Sequence, residues 1–132
     1  MVLIDSNIFL DIWQNDPQWA PRSARTLQNL AASEELAINP IIFAEVSVRF
    51  ASRPDVERAL ASLGISILDI PNEAAFLAGK AFQLYRQQAG TKTGVLPDFF
   101  IGAHAAVLGC PVLTRDTRRY STYFPSVSLI TP

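Results

Sequence analysis

The chain has 132 residues, 49% of them hydrophobic and 17% charged, with 11 basic and 12 acidic side chains and a formal net charge of -1. That composition excludes a disordered chain, and the length suits one domain, 1–132, able to bury roughly two-thirds of its extended surface. Near-neutral charge excludes nucleic-acid binding by bulk electrostatics, though not a nucleic acid held by a few arginines and a metal.

Val2-Leu3-Ile4 is an unbroken apolar run, predicted to be a buried strand. It has neither the basic leader nor the long apolar stretch of a secretory signal. Asp5 ends it. This acid is either the cap of the next helical turn, helped by Ser6 and Asn7, or a functional carboxylate. A helix is predicted over 21–35, with Ala24, Leu27, Leu30 and Ala31 on one face. Leu36-Ala37-Ile38 is a second strand, and Asn39-Pro40 opens a helix through Arg49. Glu45 is the odd residue in Ile41-Ile42-Phe43-Ala44-Glu45-Val46. A carboxylate among such neighbours is costly unless paired, ligated or at an edge. The plain alternative is an i,i+4 pair with Arg49.

Pro54-Asp55 starts a short helix that Gly64 ends, and Ile65 and Ile67 mark a strand. Asn72 is expected to cap a long helix to Gly90, with 90–97 as a loop. Asp98 is expected to cap a helix ending at Gly109. The lone Cys110 precludes an intrachain disulfide, fits a reducing cytoplasm and reads as a small buried side chain. Val112-Leu113-Thr114 is a strand. Asp116 follows it as cap of a turn over 117–120 or as a functional acid, and 127–130 is a last strand. No apolar run spans a membrane, because Asp5, Glu45 and Asp98 interrupt the greasiest segments.

Apolar strands alternating with helices predict an α/β protein with a parallel sheet covered on both faces. Ligands in such sheets sit at the carboxyl ends of strands. The exits carry Asp5, Asn39, Asp69 and Asp116. Crowded carboxylates raise one another's pKa, and a divalent cation with a taste for hard oxygen, Mg²⁺ or Mn²⁺, relieves that cost. Such an ion can activate a water and hold a phosphate oxygen. Asp11 and Asp69 read as caps or solvated acids. His104, six residues after Asp98, is off that residue's helix face and reads as structural. Ser6 has no base partner, and neither a glycine-rich phosphate loop nor an H-E-x-x-H motif is present.

With these residues in place, the sequence resembles PIN-domain ribonucleases, specifically the VapC-type toxins of toxin–antitoxin pairs. The resemblance rests on Val2-Leu3-Ile4-Asp5-Ser6-Asn7, on Glu45 after the second strand, on Asp98-Phe99-Phe100-Ile101-Gly102-Ala103-His104-Ala105, and on Val112-Leu113-Thr114-Arg115-Asp116. The tail through Tyr123-Phe124-Pro125 matches as well. The resemblance implies a three-layer α/β/α sandwich with a mostly parallel sheet. It implies a metal site of Asp5, Glu45, Asp98 and Asp116 and cleavage of single-stranded or loop RNA with Mg²⁺ (or Mn²⁺). It further implies a cytoplasmic protein, a small antitoxin as inhibitor, and a homodimer.

Asn7 and Thr114 are expected to orient the acids by hydrogen bonds. Arg115, Arg118 and Arg119, interleaved with Tyr120, Tyr123 and Phe124, are candidates for phosphate contacts and base stacking, against the plainer reading of a solvated face and core aromatics. The helices around 42–50 and 56–63, with Phe43, Phe50 and Trp13 or Trp19, are expected to offer a groove to an antitoxin segment and a contact to a second copy, or else simply to finish the core. A haloacid-dehalogenase-type phosphatase would need a second acid where Asn7 stands. A response-regulator-like module would need a lysine where Arg115 stands. A non-catalytic PIN-like scaffold would have no use for four intact acids.

Overall fold

The structure is a computed structural model describing residues 1–88, 90–92 and 94–132. Its strands are β1 (Val2–Ile4), β2 (Leu36–Ile38), β3 (Ile65–Ile67), β4 (Val112–Leu113) and β5 (Leu129–Ile130). Its helices are α1 (Ser6–Trp13), α2 (Ala20–Ala31), α3 (Pro40–Ser47), α4 (Arg53–Ser62), α5 (Asn72–Gln87), α6 (Leu96–Leu108) and α7 (Arg118–Tyr123).

The five strands lie in the order β3-β2-β1-β4-β5, and all four pairings are parallel. The register sets Leu3 beside Ala37 on one side and beside Val112 on the other. The chain builds outward from β1 through β2 to β3, then returns to lay β4 and β5 against the other side of β1. Strand order therefore reverses between β1 and β4, where open α/β sheets form their crevice. Helices on both faces complete an α/β/α sandwich, in which α1 packs on α2 and α5 on α6. Leu3, Ile4, Ile38 and Leu113 of the sheet are fully buried with Ile8 and Ile42 of the covering helices. Such continuous apolar strands are what a sheet covered on both faces requires.

Local chemistry accounts for several boundaries. Asn39 caps α3: its Oδ1 accepts the N–H groups of Ile41 and Ile42, both at 3.0 Å, and Pro40 fills the first turn, where no backbone donor is needed. Gly109 ends α6 with φ +66°, a left-handed conformation that favours glycine. Inside α6, Gly102 lies against the Phe124 ring, which a side chain there would strike.

Some expected boundaries move. The helix after Pro71 begins at Asn72 itself, whose side chain makes no cap. It ends at Gln87 rather than Gly90; Ala89 and Thr93, within the stretch expected to finish this helix and form the loop, lie outside the described residues. Leu96 and Pro97 already belong to α6, because proline is well suited to a first turn. Asp98 is thus not the cap but a first-turn residue, where a carboxylate favours the helix dipole. Thr114 lies just past β4, and β5 is only Leu129–Ile130. No helix among the described residues is long and apolar enough to cross a membrane.

Candidate functional site

Asp5 leaves β1 directly into α1. It occupies the cap position of that helix, yet its side chain makes no capping bond. The buried carboxylate is turned the other way, toward the exit of β4. Its Oδ2 accepts the Thr114 hydroxyl at 2.8 Å, the Tyr120 hydroxyl at 2.9 Å and the Asn7 Nδ2–H at 3.3 Å. Asn7 Nδ2 also reaches Thr114 Oγ1 at 3.2 Å. Asn7 and Thr114 therefore flank Asp5 as expected of orienting groups. Burial pushes the Asp5 carboxyl up, and the Thr114 and Tyr120 hydroxyls hold it back.

Glu45 projects from α3. It has no ion pair with Arg49 among the described residues. Its Oε1 is buried without a hydrogen-bond partner. Burial first, then the Asp5 charge, push its pKa up to about 7, with Asp98 adding to the rise and the Ser6 hydroxyl opposing it. The i,i+4 alternative is thus not realised, and Oε1 of this carboxylate has no donor among the described residues.

Asp98, in the first turn of α6, is also raised, by burial and then by Asp5, while Arg119 opposes. Arg119 Nη1 donates to Asp98 Oδ2 at 2.6 Å. Asp116 contributes to raising Asp98. Its expected role as cap is not seen: Thr117 precedes α7, and no side chain caps that helix. The four acids thus come from the exits of β1 and β4, the last turn of α3 and the first turn of α6, and Asp5 acts by charge on Glu45 and Asp98, as Asp116 does on Asp98. Among the described residues, no group of three or more Asp, Glu, His or Cys side chains is drawn close enough to hold a metal ion as placed. Holding an ion would require these carboxylates to draw together. The donor set is all oxygen, and the unpartnered Glu45 Oε1 is an acceptor left without a donor, which suits a hard divalent cation.

Asp69 is exposed after the edge strand β3, as a solvated acid should be. His104 is buried, and its Nδ1 accepts from Asn39 Nδ2 at 3.2 Å. Asn39 Oδ1 is already committed to capping α3, so the imidazole proton sits on Nε2. Burial lowers the His104 pKa, leaving a neutral core histidine. Cys110 is buried and free.

The basic tail departs from expectation. Arg115 gives its Nε–H to Asp11 Oδ2 at 2.6 Å and an Nη2–H to Asp11 Oδ1 at 3.1 Å. Asp11 is buried, not a cap or a solvated acid: it sits in the apolar run Ile8-Phe9-Leu10-Asp11-Ile12-Trp13, and its partner lies 104 residues away in the sequence. Arg119 is held by Asp98. Arg118 is exposed and has no ion pair among the described residues. Tyr120 and Phe124 are buried, so neither is free to stack a base; the core reading holds for both. Tyr123 packs edge-on against Phe99. Trp13 packs between Phe9 and Phe50, and Trp19 lies beneath Arg22 and Arg115. Tyr120, overlooked as a partner of Asp5, had no local signal, since α7 must fold back over β4 before its hydroxyl reaches the site.

The sequence matches the PIN domain family over residues 2–125. Comparison with curated protein sequences found no match. Among solved structures, the chain is similar to one in a toxin–antitoxin complex from Klebsiella pneumoniae, with 25% identity, a TM-score of 0.70, and coverage of 100% of this chain and 98% of that one. It is similar to one in VapBC2 from Rickettsia felis bound to a promoter DNA fragment, with 18% identity, a TM-score of 0.74, and coverage of 99% and 98%. It is also similar to one in DNA-bound VapBC from Salmonella typhimurium, with 21% identity, a TM-score of 0.69, and coverage of 98% and 96%.

Proposed function

Because the chain belongs to the PIN-domain family, we propose that it is the nuclease toxin of a toxin–antitoxin pair, cleaving single-stranded or loop RNA with Mg²⁺ (or Mn²⁺). The observation that carries this reading is Glu45 Oε1, a buried acceptor without a donor among the described residues, on a carboxyl that burial first and then the Asp5 charge push up to about 7. Asp5, Glu45, Asp98 and Asp116 would hold the ion. When bound, it supplies positive charge to the scissile phosphate and acidity to a water. The chain's own groups do the rest. Thr114, Tyr120 and Asn7 fix the Asp5 carboxylate, and Glu45, whose proton is otherwise held up to about 7, would give it up to take the ion. Arg118, and Arg119 once exchanged from Asp98, are the side chains for phosphate contacts.

The partners follow the same reading. Several similar structures are toxin–antitoxin complexes, and an apolar groove lined by Ile12, Ala24, Leu27, Ala31 and Leu63 runs along α1, α2 and the end of α4. This groove is proposed for an antitoxin segment. Val48, 80% exposed at the end of α3, lies on the face proposed for a second copy of the chain. Light scattering should then show a dimer. The nuclease is tested with a fluorescent RNA under Mg²⁺ and Mn²⁺ titration, and with mapping of the 5′ ends produced in cells. Metal-dependent internal cuts are expected. Hydrolysis of a small phosphomonoester instead, or no reaction with any metal, would reject the reading.

A further inference from the structure

Asp116 is exposed, on the short connection between β4 and α7. That connection is tied down on two sides. On one side, Thr114 Oγ1 accepts the Asp116 backbone N–H at 3.1 Å. The same hydroxyl has one proton, and it goes to Asp5 at 2.8 Å. On the other side, Asn7 and Asp11 stand one turn apart on α1, so they share a face. Asn7 Oδ1 accepts the Arg115 backbone N–H at 3.3 Å. Asp11 takes the Arg115 guanidinium by two oxygens, and the guanidinium lies 5.5 Å from the Trp19 ring centre.

A two-pronged pair of this kind restrains orientation as well as distance. The Asp11 side chain is only 6% exposed, so water competes poorly for it. Buried pairs add little net stability against an apolar substitute, and their use lies more in fixing one geometry. One edge of the guanidinium, Nε–H and Nη2–H, is spent on Asp11, so Arg115 cannot swing to a phosphate without giving up the pair.

We propose that Asp11 and Arg115 form a clamp that positions the β4–α7 connection, and with it Asp116, against the other acids. Neither residue touches substrate; both are positioning residues. The role assigned to Asp116 rests on the nuclease reading above, but the clamp itself does not.

The test compares the full-length parent with Asp11→Asn, Arg115→Gln and the double variant. NMR amide exchange at Arg115 and Asp116 reads the clamp without any need for activity. Exchange at both amides should quicken about tenfold in Asp11→Asn, while amides of β1 and β2 stay as in the parent. With RNA, kcat should fall about tenfold in each single variant, as expected for a slightly misplaced group. The double variant should be no worse than either single one, because both break the same contact. RNA Kd and its salt dependence should not move. Where Arg115→Gln fails to fold because it strands a buried carboxylate, Asp11→Asn alone decides. Unchanged exchange at Arg115 and Asp116 in Asp11→Asn would overturn the clamp. So would a weakened, less salt-sensitive RNA affinity in Arg115→Gln, which would make Arg115 an RNA contact. A parent that cleaves no RNA under any metal would remove the nuclease reading and leave the exchange result to judge the clamp.

Discussion

Two carboxylates, Asp11 on α1 and Glu45 on α3, sit in helices that are otherwise committed to the core, and the fold treats them in opposite ways. Asp11 is given a guanidinium, two hydrogen bonds and an aromatic floor beneath its partner. Glu45 is given a buried oxygen with no donor and two like charges for neighbours. A protein that can satisfy one buried acid so fully has the means to satisfy another. The contrast teaches that compensation marks architecture, whereas its absence at Glu45 Oε1 is the feature on which the proposed cation site rests.

The contrast can be broken most severely at Asp98. Asp98→Ala should cut metal-dependent RNA cleavage by about a thousandfold, since several kcal/mol of transition-state charge stabilisation are at stake. Its melting temperature should hold or rise, because a charge that burial and Asp5 disfavour leaves, and this offsets the lost bond to Arg119. Full activity in this variant would remove Asp98 from the site. On the architectural side, Asp11→Ala should instead lower stability by about 2 kcal/mol by urea titration, less than a wholly buried pair because Arg115 keeps 38% exposure. If the two variants shift stability alike, the distinction between the regions fails.

Tyr120→Phe sharpens the contrast at Asp5 itself. It removes one of the hydroxyls that hold the carboxylate and should cost about 1.5 kcal/mol while leaving the core packed. The contrast also shows in the pH dependence of stability. In the unfolded chain Glu45 releases its proton near the ordinary carboxylate value, and in the folded chain at about 7. Below that interval it is protonated in both states. Through the interval the folded state holds a proton that the unfolded state has lost, so stability falls as pH rises, and above it the loss is complete. Asp5 and Asp98, also raised, act with the same sign. The melting temperature of the metal-free chain should therefore decline from about pH 5 to about pH 8, and Glu45→Gln should flatten the decline.

Much of this was legible in the sequence, for reasons that can be named. Asp5 and Glu45 each interrupt an apolar run, and an acid that interrupts a buried pattern needs an explanation whatever the fold. The parallel sheet followed from apolar strands alternating with helices, since only a doubly covered sheet tolerates strands like Val2-Leu3-Ile4. What could not be read depends on distant contacts. Asp11 also interrupts an apolar run, Ile8-Phe9-Leu10-Asp11-Ile12-Trp13, but its partner Arg115 meets it only after β4 returns beside β1. Tyr120 and Phe124 alternate with polar residues as a surface turn would, yet α7 folds them inward, Phe124 against the one position in α6 that lacks a side chain, Gly102. Asp98 shifted from cap to first turn because Pro97 allows α6 to begin before it.

The central claim, that Glu45 and the acids near it share a cation, is tested most directly by calorimetric titration of Mn²⁺ into the parent and Glu45→Gln at about pH 7, in two buffers of different ionisation heat. The account predicts binding to the parent with release of about half a proton, from a group that titrates near 7, and weaker binding with no proton release in Glu45→Gln. No binding to the parent, or the same affinity and proton release in both proteins, would contradict it.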